Sequence, residues 1–524
     1  MLYADMVLIN GNIVTMNPDQ PKAKATAIKD GKFVAVGTNQ QILPYMGKAT
    51  TKIDLKGKTV VPGFIDTHVH GASFGRSLSQ IDLRDVKSIK EIQRKVRERA
   101  RKAHGEEWII GRGWDHDKLI ERRYPSRWDL DEAVPDLPVF LIRVCGHLGV
   151  VNSKAMQLAR IDKQTKPPKG GCIDREPDTG EPNGVLRENA LALVDHVLPR
   201  LDEETLTKTC SLACRKMVEE GITTAHWIVG SAHEMRVLQK LKERNALPLR
   251  IYALIPVEFL DNLIALGLFT GFGDNKVKVG SIKILADGSL GARTAALKQP
   301  YNDTPETSGM LLYSQKQMEK FFEKAHEAGL QLAIHAIGDE AIEKVLKTLE
   351  KVLKKTPKKG HRHRLEHVSV LNPKLIEKMK KLGVAASVQP HFVISDFWIK
   401  DRLGNARARW AYPFKSLVKA GVKTTGSSDA PIEPVSPILG VYAAVARESF
   451  PQERLTVDKA LRLYTVNAAY GSFEEDVKGS IEVGKLADVA VLSRDPYQTK
   501  PHQIREIRVE MTIVGGEVVY DRKR

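Results

Sequence analysis

The run Val60-Val61-Pro62-Gly63-Phe64-Ile65-Asp66-Thr67-His68-Val69-His70 closes an apolar, strand-like stretch with two histidines two residues apart. Side chains at i and i+2 of a strand share a face, so His68 and His70 can offer two imidazoles to one cation. A His-x-His pair is equally what a strand with two satisfied histidines contains, and the rest of the chain must supply further ligands. Four more polar residues stand in or at the ends of apolar strand-like runs. Lys283 lies in Ser281-Ile282-Lys283-Ile284-Leu285-Ala286-Asp287-Gly288, and His335 ends Gln331-Leu332-Ala333-Ile334-His335. His367 ends Arg364-Leu365-Glu366-His367, and Asp429 closes Thr425-Gly426-Ser427-Ser428-Asp429. One such residue is most simply a satisfied core group. Six of them buried together unpaired would cost on the order of several kcal/mol, which argues for a shared chemical purpose. Four imidazoles, a carboxylate and an amine suit a metal cage. An ammonium cannot ligate a cation, so Lys283 is either a structural or substrate-binding cation or a lysine turned by carbon dioxide into a bridging carbamate. Two close metals would share a bridging hydroxide and polarise a carbonyl, with Asp429 shuttling the proton from nucleophile to leaving group.

The elements that must position these groups alternate between strand and helix patterns. Apolar strand patterns fall at 60–70, 222–227, 250–255, 281–286, 331–335, 364–367, 384–389 and 423–427, as expected of a (β/α)8 TIM-type barrel. His335 and His367 are 32 residues apart, one βα unit; His367 and Asp429 are 62 apart, two units. The interval between the first and second strands is far longer. Residues 75–205 carry strand patterns at 108–113 and 139–144, helix-like runs and a Pro/Gly-rich loop at 167–184, which reads as an inserted α/β subdomain. Barrel active sites lie where the βα loops emerge, so the insertion is expected to cover the site. The chain ends differ in style. Residues 1–59 read as short strands around Asn10-Gly11 and Asp30-Gly31, both hairpin signals, and 475–524 repeat that style around Gly515-Gly516. The expected fold class is therefore α/β, with a composite β-sandwich from 1–59 plus 475–524 around a 60–474 barrel.

The 524 residues are 42% hydrophobic and 28% charged, with a formal net charge of +17. Such an excess invites a nucleic-acid reading. The cations, however, alternate with glutamates, as in Glu91-Ile92-Gln93-Arg94-Lys95-Val96-Arg97-Glu98-Arg99, the pattern of solvated helix faces with i,i+4 pairs. Only 6% of residues are aromatic and none interleave with a basic cluster, so no nucleic-acid partner is expected. Lys- and Glu-rich surfaces are also a thermophile tendency. Cys145, Cys172, Cys210 and Cys214 form no Cys-x-x-Cys pair and read as free thiols of a reducing compartment. The N-terminus opens on a strand pattern without a basic leader, and no run approaches the ~18 apolar residues of a membrane span, so a cytoplasmic protein is expected.

Taken together, several motifs resemble one family. They are Pro62-Gly63-Phe64-Ile65-Asp66-Thr67-His68-Val69-His70, Gly146-His147 through Asn152-Ser153-Lys154-Ala155, and Asn183-Gly184-Val185-Leu186-Arg187-Glu188. To these add Ala286-Asp287-Gly288-Ser289-Leu290-Gly291-Ala292-Arg293-Thr294, His335-Ala336-Ile337-Gly338-Asp339, Glu366-His367 and Ser428-Asp429-Ala430-Pro431. Nearly the full length resembles the amidohydrolase superfamily, in its type 3 branch that includes the N-substituted formamide deformylases. The resemblance implies metal-dependent hydrolysis of C–N bonds in a (β/α)8 barrel with a sandwich from both termini. It implies His68 and His70 on the more buried metal, Lys283 as a carbamate bridge, and His335 and His367 on the second metal. Asp429 would be ligand and proton shuttle. Two Zn ions are the first expectation, with Fe, Mn, Co or Ni chemically possible.

Substrate contacts are read less directly. His147 ends a strand of the insertion and either hydrogen-bonds substrate or is an ordinary loop histidine. His391, in Gln389-Pro390-His391, suits an oxyanion contact as well as a surface position. Trp114 either lines a substrate wall or fills the insertion's core. Arg293 either binds an anionic group or pairs with Asp287 or Asp303. Asp66 and Glu366 read as groups that orient ligands. The leading expectation is a hydrolase acting on a small molecule with a formamide, N-acyl amine or cyclic amide bond. A deaminase or esterase could use the same ligands, and a basic nucleic-acid-binding protein with structural metal is the reading from another class. A second copy of the chain, in a homodimer, is the one protein partner entertained.

Overall fold

Strands rich in Ile, Val, Leu and Ala need both faces covered, and a closed parallel barrel ringed by helices does this. In the computed structural model, which describes residues 3–103, 107–199 and 201–523, eight such strands pair in sequence order. They are β1 (Phe64–Val69), β2 (Ile222–Ile228), β3 (Arg250–Pro256), β4 (Val277–Leu285), β5 (Gln331–Ala336), β6 (Arg364–His367), β7 (Ala385–Val388) and β8 (Thr424–Gly426), all parallel. The seam between β8 and β1 is closed by hydrogen bonds at and beyond the strand ends. Thr67 Oγ1 donates to Gly426 O at 3.0 Å, Asp429 N to His68 O at 2.8 Å and His70 N to Ala430 O at 2.9 Å. That seam fixes the backbone of three of the six chemistry-bearing residues to one another.

The outer helices follow from pattern and caps. Asp339–Lys355 buries Ile342, Val345, Leu346, Leu349 and Val352, a 3.6-residue stripe that turns its lysines to solvent. Pro373–Leu382 starts with an Asn372 cap and a proline in its first turn, and stops at Gly383, whose φ of +67° an L side chain would resist. Many of the lysines behind the net charge sit in i,i+3 and i,i+4 pairs with glutamates on such faces.

Both chain ends feed the flanking sheets. A four-stranded sheet holds 6–9, 25–29, 32–37 and 51–54; a six-stranded one joins 12–14, 22–23 and 59–62 to 489–492, 509–514 and 517–521. Phe33, Leu55 and Val60 share one core with Val489, Val491 and Ile513. Asp30-Gly31 and Gly515-Gly516 turn true hairpins. The Asn10-Gly11 expectation fails, because the strands on its two sides belong to different sheets and Gly11 packs against Leu55 where the chain crosses over. The first barrel strand is also shorter than the 60–70 pattern: Thr59–Pro62 pairs with Val489–Leu492, and the barrel begins after Gly63.

Between β1 and β2 a six-stranded sheet of its own holds 81–82, 109–114, 139–143, 148–151, 171–175 and 182–188. The Pro/Gly-rich segment read as loop at 167–184 contains Gly171–Arg175, paired with Pro182–Glu188. No helix among the described residues is long and apolar enough to cross a membrane.

One ion-pair cluster at the foot of the barrel sets an acid limit. Glu474 accepts from Lys278 of β4 at 2.8 Å and forms an ion pair with Lys478 at 2.7 Å, and in spite of burial its carboxyl is held down at about 2 by these two lysines. A depressed carboxyl stabilises the fold above its ordinary value near 4.5 and loses that contribution as pH falls towards 2. Glu474→Gln is therefore expected to be less stable than the parent at pH 7, with the difference shrinking as pH falls from about 4.5 towards 2 in denaturant titrations.

Candidate metal centre

The six residues meet at the C-terminal mouth of the barrel. His68 is inside β1 and fully buried; His70 follows the strand at the start of the helix Gly71–Ser77 and is half-exposed. Gly71 lets that turn settle on Trp227, whose ring lies 2.1 Å from where a Cβ would be. Lys283 points inward from β4, His335 from β5, and His367 ends β6. His367 at φ +73° and Asp429 at φ +57° both hold left-handed backbone that ordinary side chains avoid. Such conformations cost about 1–3 kcal/mol each, and their coincidence with these two residues marks the mouth as a place built for chemistry.

Asp429 Oδ1 lies 3.3 Å from His68 Nε2 and 3.2 Å from His70 Nε2, and it is a buried acceptor with no hydrogen-bond donor. The ligand-type atoms of His68, His70 and Asp429 all fall within 4.8 Å of one another. Lys283 Nζ is 3.2 Å from His68 Nε2. The ring of His367 is 4.9 Å from that of His68 and 4.4 Å from that of His335.

Neighbouring groups choose the tautomers. His68 Nδ1 donates to Glu366 Oε2 at 2.5 Å and His367 Nδ1 to Gln389 Oε1 at 2.7 Å, so each Nε2 lone pair faces the centre. His335 donates through Nε2 to Gly288 O at 3.0 Å, which leaves Nδ1 as its lone-pair donor. Burial depresses His70, His335 and His367, the last to about 3, so these imidazoles are neutral bases. Despite burial, His68 and its neighbours keep Asp429 well below the carboxylate range. Burial drops Lys283 to about 8, so roughly a tenth is neutral amine at pH 7 and about half at pH 8. Neutral bases around an ionised, donorless carboxylate oxygen form a donor set that a divalent cation completes.

Glu366 is the keystone beneath. It holds His68 on one side and Arg364 Nε at 2.6 Å on the other, and Arg364 also donates to His226 Nδ1 and Thr67 O inside the barrel. Arg364 holds the Glu366 carboxyl far below its usual range. Glu366→Gln is expected to weaken metal binding about 10–100-fold in chelator competition. Glu366→Leu, which strands a buried guanidinium, is expected to cost about 3–5 kcal/mol in denaturant unfolding. Asp66 turns away from the cavity and accepts from His68 N and from Ser428, bracing the seam. Asp287, pushed up to about 7 by burial, accepts from the amides of Ala296, Ile337 and Gly338.

A cavity of about 370 Å³ opens onto His68, His70, Lys283, His335, His367 and Asp429. On the far side of His335 and His367 a narrower lobe is walled by Leu290, Ile337, Phe392, Trp398 and Tyr412. His147 lines both; its Nδ1 is 2.7 Å from Glu188 Oε2, and despite burial this carboxylate raises it to about 9. His391 pairs with Glu433, which itself lines the lobe, but His391 is not on the wall. Trp114 is buried in the insertion's core, donating to Leu141 O at 3.0 Å. Arg293 is engaged with Asp303 at 2.9 Å and lines neither cavity. Asp115, His116 and Asp117 also cluster, but Arg143 and Arg402 already occupy their oxygens. Sequence reasoning missed Glu188 as a working residue. Its φ of +50° and its bonds to His147 and Thr294 appear only in three dimensions.

Comparison with known proteins bears on this site. The model of the amidohydrolase family matches residues 51–520. A putative amidohydrolase, YtcJ, of Bacillus subtilis is 35% identical over 98% of both chains. The N-substituted formamide deformylase of Arthrobacter pascens is 29% identical over 99% of this chain and 98% of its own. Among solved structures, an uncharacterized metal-dependent hydrolase from Pyrococcus furiosus superposes with a TM-score of 0.76 at 35% identity, covering 94% of this chain and 100% of its own.

Proposed function

The chain belongs to the amidohydrolase family, and from that premise we propose that it is a metal-dependent hydrolase of a C–N bond in a small molecule, of the formamide or N-acyl amine type. The observation that carries the reading is Asp429 Oδ1, buried without a donor between the Nε2 atoms of His68 and His70. In this reading His68, His70, Lys283, His335, His367 and Asp429 hold two divalent ions, Zn before Fe, Mn, Co or Ni. Lys283 serves as a carboxylated bridge, supported by its depressed amine. The bound metal supplies an activated water and a Lewis acid for the carbonyl.

The chain's own groups do the rest. Asp429, ionised and beside the ligands, takes the proton of the attacking water and returns it to the departing amine. His147, kept protonated by Glu188, leaves Nε2–H free for the oxygen that gains charge. The lobe of Phe392, Trp398 and Tyr412 takes an apolar substituent and excludes water around it. The inserted subdomain, 75–205, forms the wall over the mouth of the barrel, and a sandwich from both termini braces it from outside; because Val60 shares a core with Val489, the boundary between 1–59 and 60–474 moves to Gly63, with 475–524 completing the sandwich.

The test is metal analysis together with turnover of an N-substituted formamide and N-acyl amine panel. Bound metal with chelator-sensitive release of formate or acid supports the reading. Release of ammonia alone, or turnover of esters alone, would move it to a deaminase or an esterase. His147→Ala is expected to lower kcat about 10²–10³-fold with metal content unchanged, as loss of one oxyanion donor does.

A further inference from the structure

The buried arginines of this chain follow a rule: each meets a carboxylate or, as Arg447 does at the carbonyls of Tyr412 and Ser449, two backbone acceptors at ordinary hydrogen-bond distance. Arg143 has Asp115, Arg250 has Asp488, Arg364 has Glu366 and Arg402 has Asp303. Arg112 breaks it. It sits in the strand Ile109–Trp114 of the insertion, and its side chain lines the metal cavity together with His68, His70 and Asp429. Its Nε is buried with no acceptor, and its one hydrogen bond is a long 3.5 Å contact from Nη2 to Val144 O. Among the described residues it has no carboxylate partner, and burial without one lowers its pKa to about 10, so the group is still a cation at neutral pH.

The backbone is shaped to admit this guanidinium. Gly146, at φ +76°, lies against it, and a Cβ there would stand 2.9 Å from Nη2. Arg112 is partly exposed, so the donors of its fork without a protein acceptor face the space a ligand would fill, while the buried Nε lacks an acceptor altogether. The second arginine on the cavity walls, Arg143, is already matched by Asp115 and Asp117. Arg293, the sequence-level candidate for an anionic group, is neutralised by Asp303.

We propose that Arg112 is the specificity residue for a carboxylate carried by the substrate, so that the preferred compounds are N-acyl or N-formyl amines bearing a carboxylate, such as N-acylated amino acids. The inference deepens the C–N hydrolase reading and rests on it for the identity of the scissile bond. The acyl group would lie at the metal ligands, the carboxylate on the Arg112 fork and the apolar side chain in the lobe of Phe392 and Tyr412.

The test separates binding from turnover. Methanesulfonyl-phenylalanine and its primary amide cannot be hydrolysed as N-acyl compounds, and they differ only in the carboxylate. Calorimetry on the metal-loaded protein is expected to show the acid binding about 10–100-fold more tightly than the amide, the range of a charge-assisted pair. Arg112→Ala should abolish that preference and leave the amide's affinity unchanged; Arg112→Lys, which keeps the charge but loses the fork, should retain part of it. Equal metal content and thermal midpoint show that the variants fold. Equal binding of acid and amide, no binding of either, or a preference that survives Arg112→Ala would overturn the proposal. N-formylphenylalanine and its amide, assayed in parallel, report on hydrolysis: no turnover of either, with the binding preference intact, would overturn the C–N reading and leave the subsite standing.

Discussion

Asp429→Asn is expected to lower kcat by about 10²–10⁴-fold, the range of a lost general acid–base group, while most of the bound metal is retained. The amide keeps an oxygen that can face the cation, so ligand geometry survives; what it lacks is a site that takes and returns a proton. The same substitution is expected to weaken the metal-free fold modestly at pH 7, because His68 and its neighbours hold the Asp429 carboxyl well below the ordinary range, and a depressed carboxyl stabilises the fold above its ordinary value. In the structure Asp429 Oδ1 is buried without a donor, and the backbone at Asp429 sits at φ +57°, a conformation asparagine tolerates well. The backbone therefore adds no cost of its own, and the lost stability should fade as pH falls below the ordinary carboxylate range. The checks are steady-state kinetics with elemental analysis, and denaturant unfolding after chelation. Activity that falls only in proportion to the loss of folded protein would make Asp429 a structural anchor instead.

The burial of polar groups that serve chemistry explains which parts of the site could be read from the chain. A histidine, lysine or aspartate in or closing an apolar strand is locally conspicuous because the pattern around it says core. His68, Lys283, His335, His367 and Asp429 announce themselves this way, and the eight strand patterns stand in the structure as eight parallel strands. Glu188 and Arg112 do not: Glu188 follows Arg187 at the end of Pro182–Glu188, and Arg112 stands between two glycines in Ile109–Trp114 of the insertion, away from the barrel strands. What distinguishes them is a partner or its lack: His147 is 41 positions from Glu188, and Arg112 is singled out only by the acid it does not meet. Turn chemistry had the same blindness. Asn10-Gly11 and Asp30-Gly31 look alike locally, yet only the second has two flanking strands in one sheet. The barrel's first strand was overrun for a related reason: Val60 and Val61 are as apolar as Phe64 and Ile65, and only the Pro62-Gly63 break hints that the two pairs belong to different sheets.

Lys283→Ala is expected to have the second large effect, a fall from about two bound metals per chain to one or none, with activity lost alongside. The state of the amine decides this. Lys283 is buried and about 3.2 Å from His68 Nε2, where an ammonium would repel any cation held by the histidines. Carbon dioxide adds only to a neutral amine, and burial brings the Lys283 pKa down to about 8, so the reactive fraction grows as pH rises towards 8. Reconstitution of stripped protein should therefore be faster and more complete near pH 8 with bicarbonate than near pH 6.5 without it, and 13C-bicarbonate should give a carbamate resonance in the wild type that Lys283→Ala lacks. Acetate or propionate, small enough to enter the space left by the lysine, should restore part of the second metal in the variant by supplying the missing oxygens. One metal in both proteins, with no carbamate signal, would instead make Lys283 a cation that contacts substrate and the centre mononuclear.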